Sequence, residues 1–268
     1  MMRPADTHAV RLLEATLEFS PAGETNWSYD AYGNSVAVFQ PQGAGDHLRI
    51  VNNLLIERYP ALLAPPPIDD PHSLTPIVYD ARDRVVLQPF ISPAAEDDDA
   101  AYLAWVRSLA GAPEEPALDF LHRINNAIHQ NFGYGARAAF GTQSPAETVA
   151  RGFGTCRDFA WLMIESLRRL GFAARFVTGY LYAPNAQHQG AGATHAWCEA
   201  FLPGLGWSEF DPTNALAESN DLIRVAATRT PEEAAPLAGV VLDGAANANL
   251  NVTVEVFEPD TALGGGMF

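Results

Sequence analysis

The segment from residue 152 to residue 214 constrains the fold more than any other part of this 268-residue chain. It opens with a glycine-flanked loop and continues as a helical pattern in which Phe159, Met163 and Leu167 share one apolar face. Strand-like stretches follow this helix directly. A helix and strands of this kind bury their apolar faces by packing on each other, so the pattern predicts an α+β fold with the helix on an antiparallel sheet.

Two strands are predicted after the helix, at 174–182 and 194–201, and the second alternates in the manner of a β-strand. A turn rich in glycine and proline at 203–206 then leads into a third stretch, in which Asp211 is followed at once by a proline. Because a hairpin reverses the chain across such a turn, we expect the Asp211 carboxyl to return beside His195.

Cys156 is placed at the N-terminus of the predicted helix. Unpaired N–H groups and the helix dipole at such a position favour the thiolate form of a cysteine. A free cysteine also serves as a small buried hydrophobic residue, and the helix alone does not decide between these roles.

The order Cys156, His195 and Asp211 supplies the components of thiol catalysis. These components are a nucleophile, a base that takes its proton, and a carboxylate that orients the base. Backbone N–H groups at the start of the helix, beside Thr155, are available to stabilise an oxyanion.

A metal site built from the two cysteines, His195 and Asp211 is the alternative to catalysis. His195 and Cys198 are three residues apart on a predicted strand, so their side chains face opposite sides of the sheet. The sequence also offers too few chelating spacings for a structural zinc site. We therefore expect no bound metal.

Composition excludes several other classes of function. The chain carries 32 acidic and 16 basic residues, a formal net charge of −16, which disfavours binding to nucleic acid and to anionic membranes. Its two cysteines are too few for a disulfide-rich scaffold. No signal peptide and no apolar run long enough to cross a bilayer is visible, so a cytoplasmic location is expected.

The first ninety residues show strand patterns broken by Gly, Pro and Asn, which are typical of a small antiparallel β-sandwich. The predicted strands are Ala9–Phe19, Val36–Phe39, His47–Glu57 and, after a proline-rich break at 64–67, Val85–Phe90. The helices predicted before Cys156 are Ala101–Leu109, Ala117–Phe132 and Pro145–Arg151. The acidic run at 96–99 either starts the first of these or forms a solvated loop. We therefore expect two domains, residues 1–92 and 93–268.

Five motifs follow one another along the segment that contains the candidate residues. They are GTCRDFA at 154–160, FVTGYL at 176–181, HAWCE at 195–199, GW at 206–207 and FDPTN at 210–214. In identity and order they resemble the bacterial transglutaminase-like superfamily over about residues 134–214. The strand-rich first ninety residues are similar to the β-domain that often precedes this core in bacteria.

The resemblance implies a papain-like core with a Cys-His-Asp triad, here Cys156, His195 and Asp211. It further implies acyl transfer through a thioester on the cysteine, with a peptide or protein amide as substrate and no cofactor. We expect hydrolysis rather than amine transfer, because no dedicated amine site is visible and water is always present. A protein cross-linking transglutaminase and a non-catalytic peptide-binding module on the same fold stay open as alternatives.

Three further residues are candidates for the cleft or the oxyanion site. Thr155 directly precedes the nucleophile. Tyr134 matches an aromatic residue that recurs in the family, and it either lines the cleft or packs against the helix. Trp197 also has two interpretations: it either lines the cleft or packs beside the triad. The substrate and the oligomeric state are not predicted.

Overall fold

The computed structural model describes residues 1–59, 74–94, 97, 99–111, 114–135, 137, 141–184, 188–239 and 250–259. The described part is an α+β structure in which the larger sheets are antiparallel, and this confirms the predicted fold class. The proline-rich break predicted at 64–67 lies outside the described residues.

The N-terminal strands form two small antiparallel sheets. Their pairs are β1 (Val10–Ser20) with β4 (Arg49–Arg58), and β2 (Gly23–Tyr29) with β3 (Ser35–Pro41). The rings of Phe19 and Phe39 stack between the two sheets, with centroids 4.0 Å apart. The predicted antiparallel β-structure is therefore present, although β2, whose side chains are mostly polar, is missing from the predicted strands.

The segment Val85–Phe90, predicted as a strand, belongs instead to helix α1 (Ala81–Ile91). Asp80 caps this helix, because its carboxylate accepts hydrogen bonds from two N–H groups of the first turn at 2.7 and 2.9 Å. Leu87 is buried and packs beside Ala173, whereas the two adjacent valines that favoured a strand are exposed. The prediction was wrong because it weighed β-branched residues above the cap.

In the part of the chain that the structure describes, three further helices precede Cys156, and the sequence predicts all three. They are α2 (Ala100–Leu109), α3 (Ala117–Asn131) and α4 (Pro145–Arg151). The Asp99 carboxylate accepts hydrogen bonds from two N–H groups of the first turn of α2, so this last residue of the predicted acidic run caps the helix. Ser144 and Glu147 form a capping box at the start of α4.

The central sheet contains five antiparallel strands in the order β10-β9-β8-β7-β11. They are β7 (Ala174–Leu181), β8 (His195–Leu202), β9 (Gly206–Asp211), β10 (Leu216–Ala217) and β11 (Leu222–Thr228). Helix α5 (Cys156–Arg169) packs on β8, whose side chains on that face are small: Ala196, Cys198 and Ala200. Small side chains let the helix approach the sheet closely, and this brings the two ends that carry Cys156 and His195 together.

The N-terminal sheets dock on the edge of this central sheet. The side-chain amide of Asn34 donates a hydrogen bond to the backbone oxygen of Ala227 at 2.9 Å and accepts one from its N–H at 3.0 Å. Ala227 lies in β11, the edge strand, so the Asn34 amide pairs with that strand as a neighbouring backbone would. Arg58 adds a 3.0 Å hydrogen bond to the backbone oxygen of Ser219.

Candidate active site

Cys156 is the first residue of α5, and its side chain is buried except for a small exposed fraction of 8%. The backbone N–H and the hydroxyl of Thr155 both donate to the Asp158 carboxylate at 2.8 Å. These contacts close the turn that leads into the helix. A Cβ at Gly154 would lie 2.9 Å from the Asp158 Cβ, so this turn has room only for glycine.

The Asp158 carboxylate is also the anchor for the loop in front of the site. Arg137 donates to both of its oxygens, at 2.9 and 2.8 Å, and the Gln143 N–H donates at 2.7 Å. Burial would raise the pKa of Asp158, but Arg137 and these N–H donors hold it below its usual value. These contacts give the Asp158 carboxylate a structural role, because it joins the loop to the start of α5.

His195 and Asp211 meet at the ends of neighbouring strands. The register of β8 and β9 pairs Cys198 with Phe210, which places the end of β9 beside the start of β8. The His195 Nε2 lies 2.9 Å from Asp211 Oδ2, and both side chains are fully buried. Nδ1 on the other side of the ring is also buried, and it has no hydrogen-bond partner among the described residues.

The charges of His195, Asp211 and Cys156 shift the pKa values of the histidine and the aspartate. Burial by itself would lower the pKa of His195, but the neighbouring Asp211 carboxylate and Cys156 raise it well above its ordinary value. Burial would raise the pKa of Asp211, and His195 outweighs this effect and lowers it. The Asp211 carboxylate also accepts hydrogen bonds from the Asn214 side-chain amide at 2.8 Å and from the Thr213 N–H at 2.9 Å. The buried pair therefore favours an imidazolium beside a carboxylate.

Tyr134 lies at the same opening. It belongs to the two-residue strand β5 (Gly133–Tyr134), which pairs in parallel with β6 (Phe153–Gly154) directly before Cys156. A Cβ at Gly190 would lie 3.2 Å from the Tyr134 hydroxyl and 2.9 Å from His195 Nδ1. The two polar groups therefore border one space. Burial, with Cys156 as a second cause, raises the pKa of Tyr134 to about 12, so its hydroxyl keeps its proton.

Trp197 does not reach this space. Its side chain is fully buried on the face of β8 opposite α5, where it packs with Val177 and Leu222. Of its two interpretations, the packing role agrees with this position. Thr155 contributes its contacts to Asp158 rather than a side chain in the opening.

A loop lies against the imidazole, and we call residues 188–192 the cleft loop. The Gln189 N–H donates to the Asn214 Oδ1 at 2.7 Å, and the Asn214 Nδ2 donates back to the Gln189 oxygen at 3.2 Å. The Val254 N–H donates to the Gly192 oxygen at 3.0 Å. The His188 Nε2 lies 3.0 Å from Asp221 Oδ2.

Within the described ranges, no group of three or more His, Cys, Asp or Glu side chains is arranged to hold a metal ion. Over the same ranges, no helix combines the length and the apolar character needed to cross a membrane.

Comparison with known proteins agrees with this architecture. Residues 104–212 match the family model of the transglutaminase-like superfamily, and residues 1–57 match that of the bacterial transglutaminase-like N-terminal region. A crystal structure from Cytophaga hutchinsonii, of a protein proposed to be a cysteine protease, superimposes with a TM-score of 0.68. At 21% identity, it covers 87% of this chain and 76% of that protein, which shows a common fold.

Two mycobacterial relatives are more similar in sequence. An uncharacterised protein of Mycobacterium tuberculosis is 31% identical over 158 residues, which are 55% of this chain and 50% of that protein. An uncharacterised protein of Mycobacterium leprae is 36% identical over 106 residues, 38% of this chain and 37% of that protein. The chain thus spans half or less of the length of these curated relatives.

Proposed function

Residues 104–212 belong to the transglutaminase-like superfamily, and from this premise we propose that the chain is a cysteine-dependent acyl-transfer enzyme. Its substrates would be carboxamide or peptide bonds, and its intermediate a thioester on Cys156. The observation that carries the proposal is the orientation of His195, whose Nε2 is held by Asp211 while the buried Nδ1 has no described partner. A base held in this way has one nitrogen left for a thiol proton.

In the proposed reaction, His195 first takes a proton from the thiol and then gives it to the leaving group. His195 Nδ1 accepts the proton of the Cys156 thiol, and the thiolate attacks the carbonyl carbon of the amide. The tetrahedral intermediate collapses when the imidazolium gives its proton to the leaving amine, and a thioester remains. Water then attacks the thioester while the imidazole takes its proton, and the carboxylic acid and the free thiol are released.

The start of α5 supports a site for the oxyanion of the tetrahedral intermediate. Backbone N–H groups of the first turn of a helix have no partner within the helix, and the helix dipole favours a negative charge there. The Tyr134 hydroxyl is a second candidate donor, because it borders the same space as the imidazole and keeps its proton. Hydrolysis is preferred to amine transfer, since no group in the described site is arranged to select an amine over water.

The experiment that tests this proposal needs no substrate. The rate of iodoacetamide labelling is followed by mass spectrometry from about pH 4 to about pH 9, across the ordinary thiol pKa of about 8.5. We expect Cys156 to react rapidly below about pH 7 and to lose this advantage in His195→Ala. Cys198, which is fully buried, serves as the internal control. If Cys156 is labelled slowly, and its labelling rate rises only near the pKa of an ordinary thiol, the proposal is contradicted and a binding module is favoured.

A second experiment separates hydrolysis from transfer. A library of glutamine-containing peptides and simple amides is incubated with and without a labelled primary amine, with Cys156→Ala as the blank. Release of ammonia or amine without incorporation of the label supports hydrolysis. Incorporation of the label without net hydrolysis would identify a cross-linking transglutaminase instead.

A further inference from the structure

We propose that Trp197 and Glu209 together brace the imidazole of His195, and that both are positioning residues for the acyl transfer. This inference rests on the proposed function, because it concerns the orientation of the base in that reaction. Neither residue touches the opening of the site. Trp197 lies beside the imidazole on the face of β8 that the two side chains share, and Glu209 holds Trp197.

The first contact is between the two rings. Trp197 follows His195 by two residues in β8, so both side chains lie on the same face of the strand. Their ring centroids are 6.1 Å apart, with an angle of 28° between the ring planes. The hydrogen bond to Asp211 fixes one edge of the imidazole but leaves rotation about that bond open. A ring packed on the imidazole face limits this rotation.

The indole is itself fixed on two sides. Its Nε1 donates a 3.3 Å hydrogen bond to Glu209 Oε1. Gly179, which pairs with His195 across β7 and β8, leaves the space that the ring fills. A Cβ at Gly179 would lie 2.7 Å from the Trp197 Cη2 atom and 2.1 Å from the Ile223 oxygen. Gly179 therefore leaves room both for the Ile223 backbone and for the indole, and it stands in register with the histidine.

Glu209 connects this support to the strand that carries the catalytic carboxylate. It precedes Asp211 by two residues in β9, so the same strand contacts the imidazole edge through Asp211 and its face through Trp197. Its own N–H donates to Glu218 Oε1 at 2.8 Å. The other charged groups around its carboxyl are Glu199, Arg58 and Arg175. Glu209 is therefore held by its strand and by Glu218 while its carboxyl accepts the indole N–H.

The test compares substitutions that keep or remove each contact. Trp197→Phe retains an aromatic face but removes the N–H, Glu209→Leu removes the acceptor, and Glu209→Gln keeps it. The readout is the pH profile of Cys156 labelling by iodoacetamide, with cooperative thermal unfolding required of every variant. Trp207→Phe is the matched control, because this tryptophan lies in β9 and packs with Phe90 and Phe201 rather than with the imidazole.

We expect Trp197→Phe and Glu209→Leu to slow labelling near pH 6 by about tenfold, towards the behaviour of His195→Ala. Glu209→Gln should stay within about twofold of the parent, as Trp207→Phe should, because the acceptor is kept. The inference is overturned if folded Trp197→Phe is labelled at the rate of the parent, whatever the result for Glu209→Leu. It is also overturned if the labelling rate falls as much in Glu209→Gln as in Glu209→Leu.

The failure of this inference can be told apart from failure of the proposed function. If Cys156 of the parent protein labels as an ordinary thiol, the proposed function fails. The brace is then tested by the ¹⁵N chemical shifts of the His195 ring, which report its tautomer and hydrogen bonding without any reaction. Shifts that change in Trp197→Phe and not in Trp207→Phe support the brace, and shifts unchanged in both refute it.

Discussion

Asn214 holds Asp211 in place and at the same time holds the loop above it. Its Nδ2 donates to Asp211 Oδ2 at 2.8 Å and to the Gln189 oxygen at 3.2 Å, while its Oδ1 accepts the Gln189 N–H at 2.7 Å. One amide thus connects the carboxylate that orients the base to the segment that covers the base.

This connection predicts that Asn214→Ala affects two properties together. Loss of a hydrogen bond to the charged carboxylate should raise the pKa of Asp211, since that bond helps to lower it. The cleft loop should also lose protection from hydrogen exchange at Gln189. We expect labelling of Cys156 near pH 6 to fall by about three- to tenfold. Loss of loop protection with an unchanged labelling rate would show that the amide serves the loop alone.

Gly190 and Gly192 provide a matched pair of substitutions. Both have positive φ, +87° and +84°, so alanine at either site should cost about 1–2 kcal/mol of stability. Only Gly190 faces the site, where a Cβ would lie 2.9 Å from His195 Nδ1, whereas nothing lies within 4 Å of a Cβ at Gly192. We expect Gly190→Ala to reduce Cys156 labelling about tenfold and Gly192→Ala to leave it unchanged. Equal effects of both on labelling would mean that backbone strain, not contact with the imidazole, matters.

Arg137→Ala should be strongly destabilising. The Arg137 and Asp158 side chains are 8% and 0% exposed, and removal of the arginine leaves a buried carboxylate without its cation. The expected loss is about 3–5 kcal/mol in the free energy of unfolding, measured by urea denaturation. Arg123→Ala is the control, because the Arg123–Glu115 pair is 42% and 19% exposed and should contribute about 1 kcal/mol or less.

The same ion pair predicts a change with pH. The folded pKa of Asp158 is lowered, so its contribution is complete above the unfolded pKa and is lost as the pH falls through the folded value. Asp158→Asn should therefore lose stability at neutral pH and show a shallower decline in acid than the parent. Parallel acid profiles for the two proteins would contradict this assignment.

Glu209 predicts the opposite dependence. Burial, followed by the charge of Glu199, raises its pKa from 4.5 to about 8. The folded chain then keeps a proton that the unfolded chain releases, so this group lowers stability as the pH rises between these two values. The slope is at most about 1.4 kcal/mol per pH unit. Glu209→Gln should remove this pH dependence of stability, which is measured by urea denaturation at several pH values between those two pKa values. An unchanged slope would show that Glu209 is ionised in the folded protein.

Periodicity predicted the elements that carry the site because their apolar faces are regular. Helix α5 and strand β8 are buried almost throughout and carry apolar residues at regular spacing, and helix α4 has a capping box that the sequence displays. The sequence did not predict strand β2, because the side chains of this strand are mostly exposed. It also did not predict helix α1, which Asp80 caps and in which the two valines are exposed. Neither element carries a regular apolar pattern that would indicate its structure.

The residues around the imidazole were harder to predict for a different reason. Asn214, Gly190 and Glu209 act through contacts with partners 25, 5 and 12 residues away that meet only after the sheet has formed. Motif order therefore indicates Cys156, His195 and Asp211 as candidates, while the groups that orient them depend on strand register.

The two hydrogen bonds between the Asn34 amide and Ala227 affect how a fragment of this protein would behave. They close a chain segment of 193 residues, so we expect the N-terminal sheets and β11 to join late in folding. A fragment without residues 1–59 would leave the outer edge of β11 open, with backbone groups that a second molecule can pair. We expect such a fragment to associate edge to edge, and a sedimentation experiment at several concentrations would detect it.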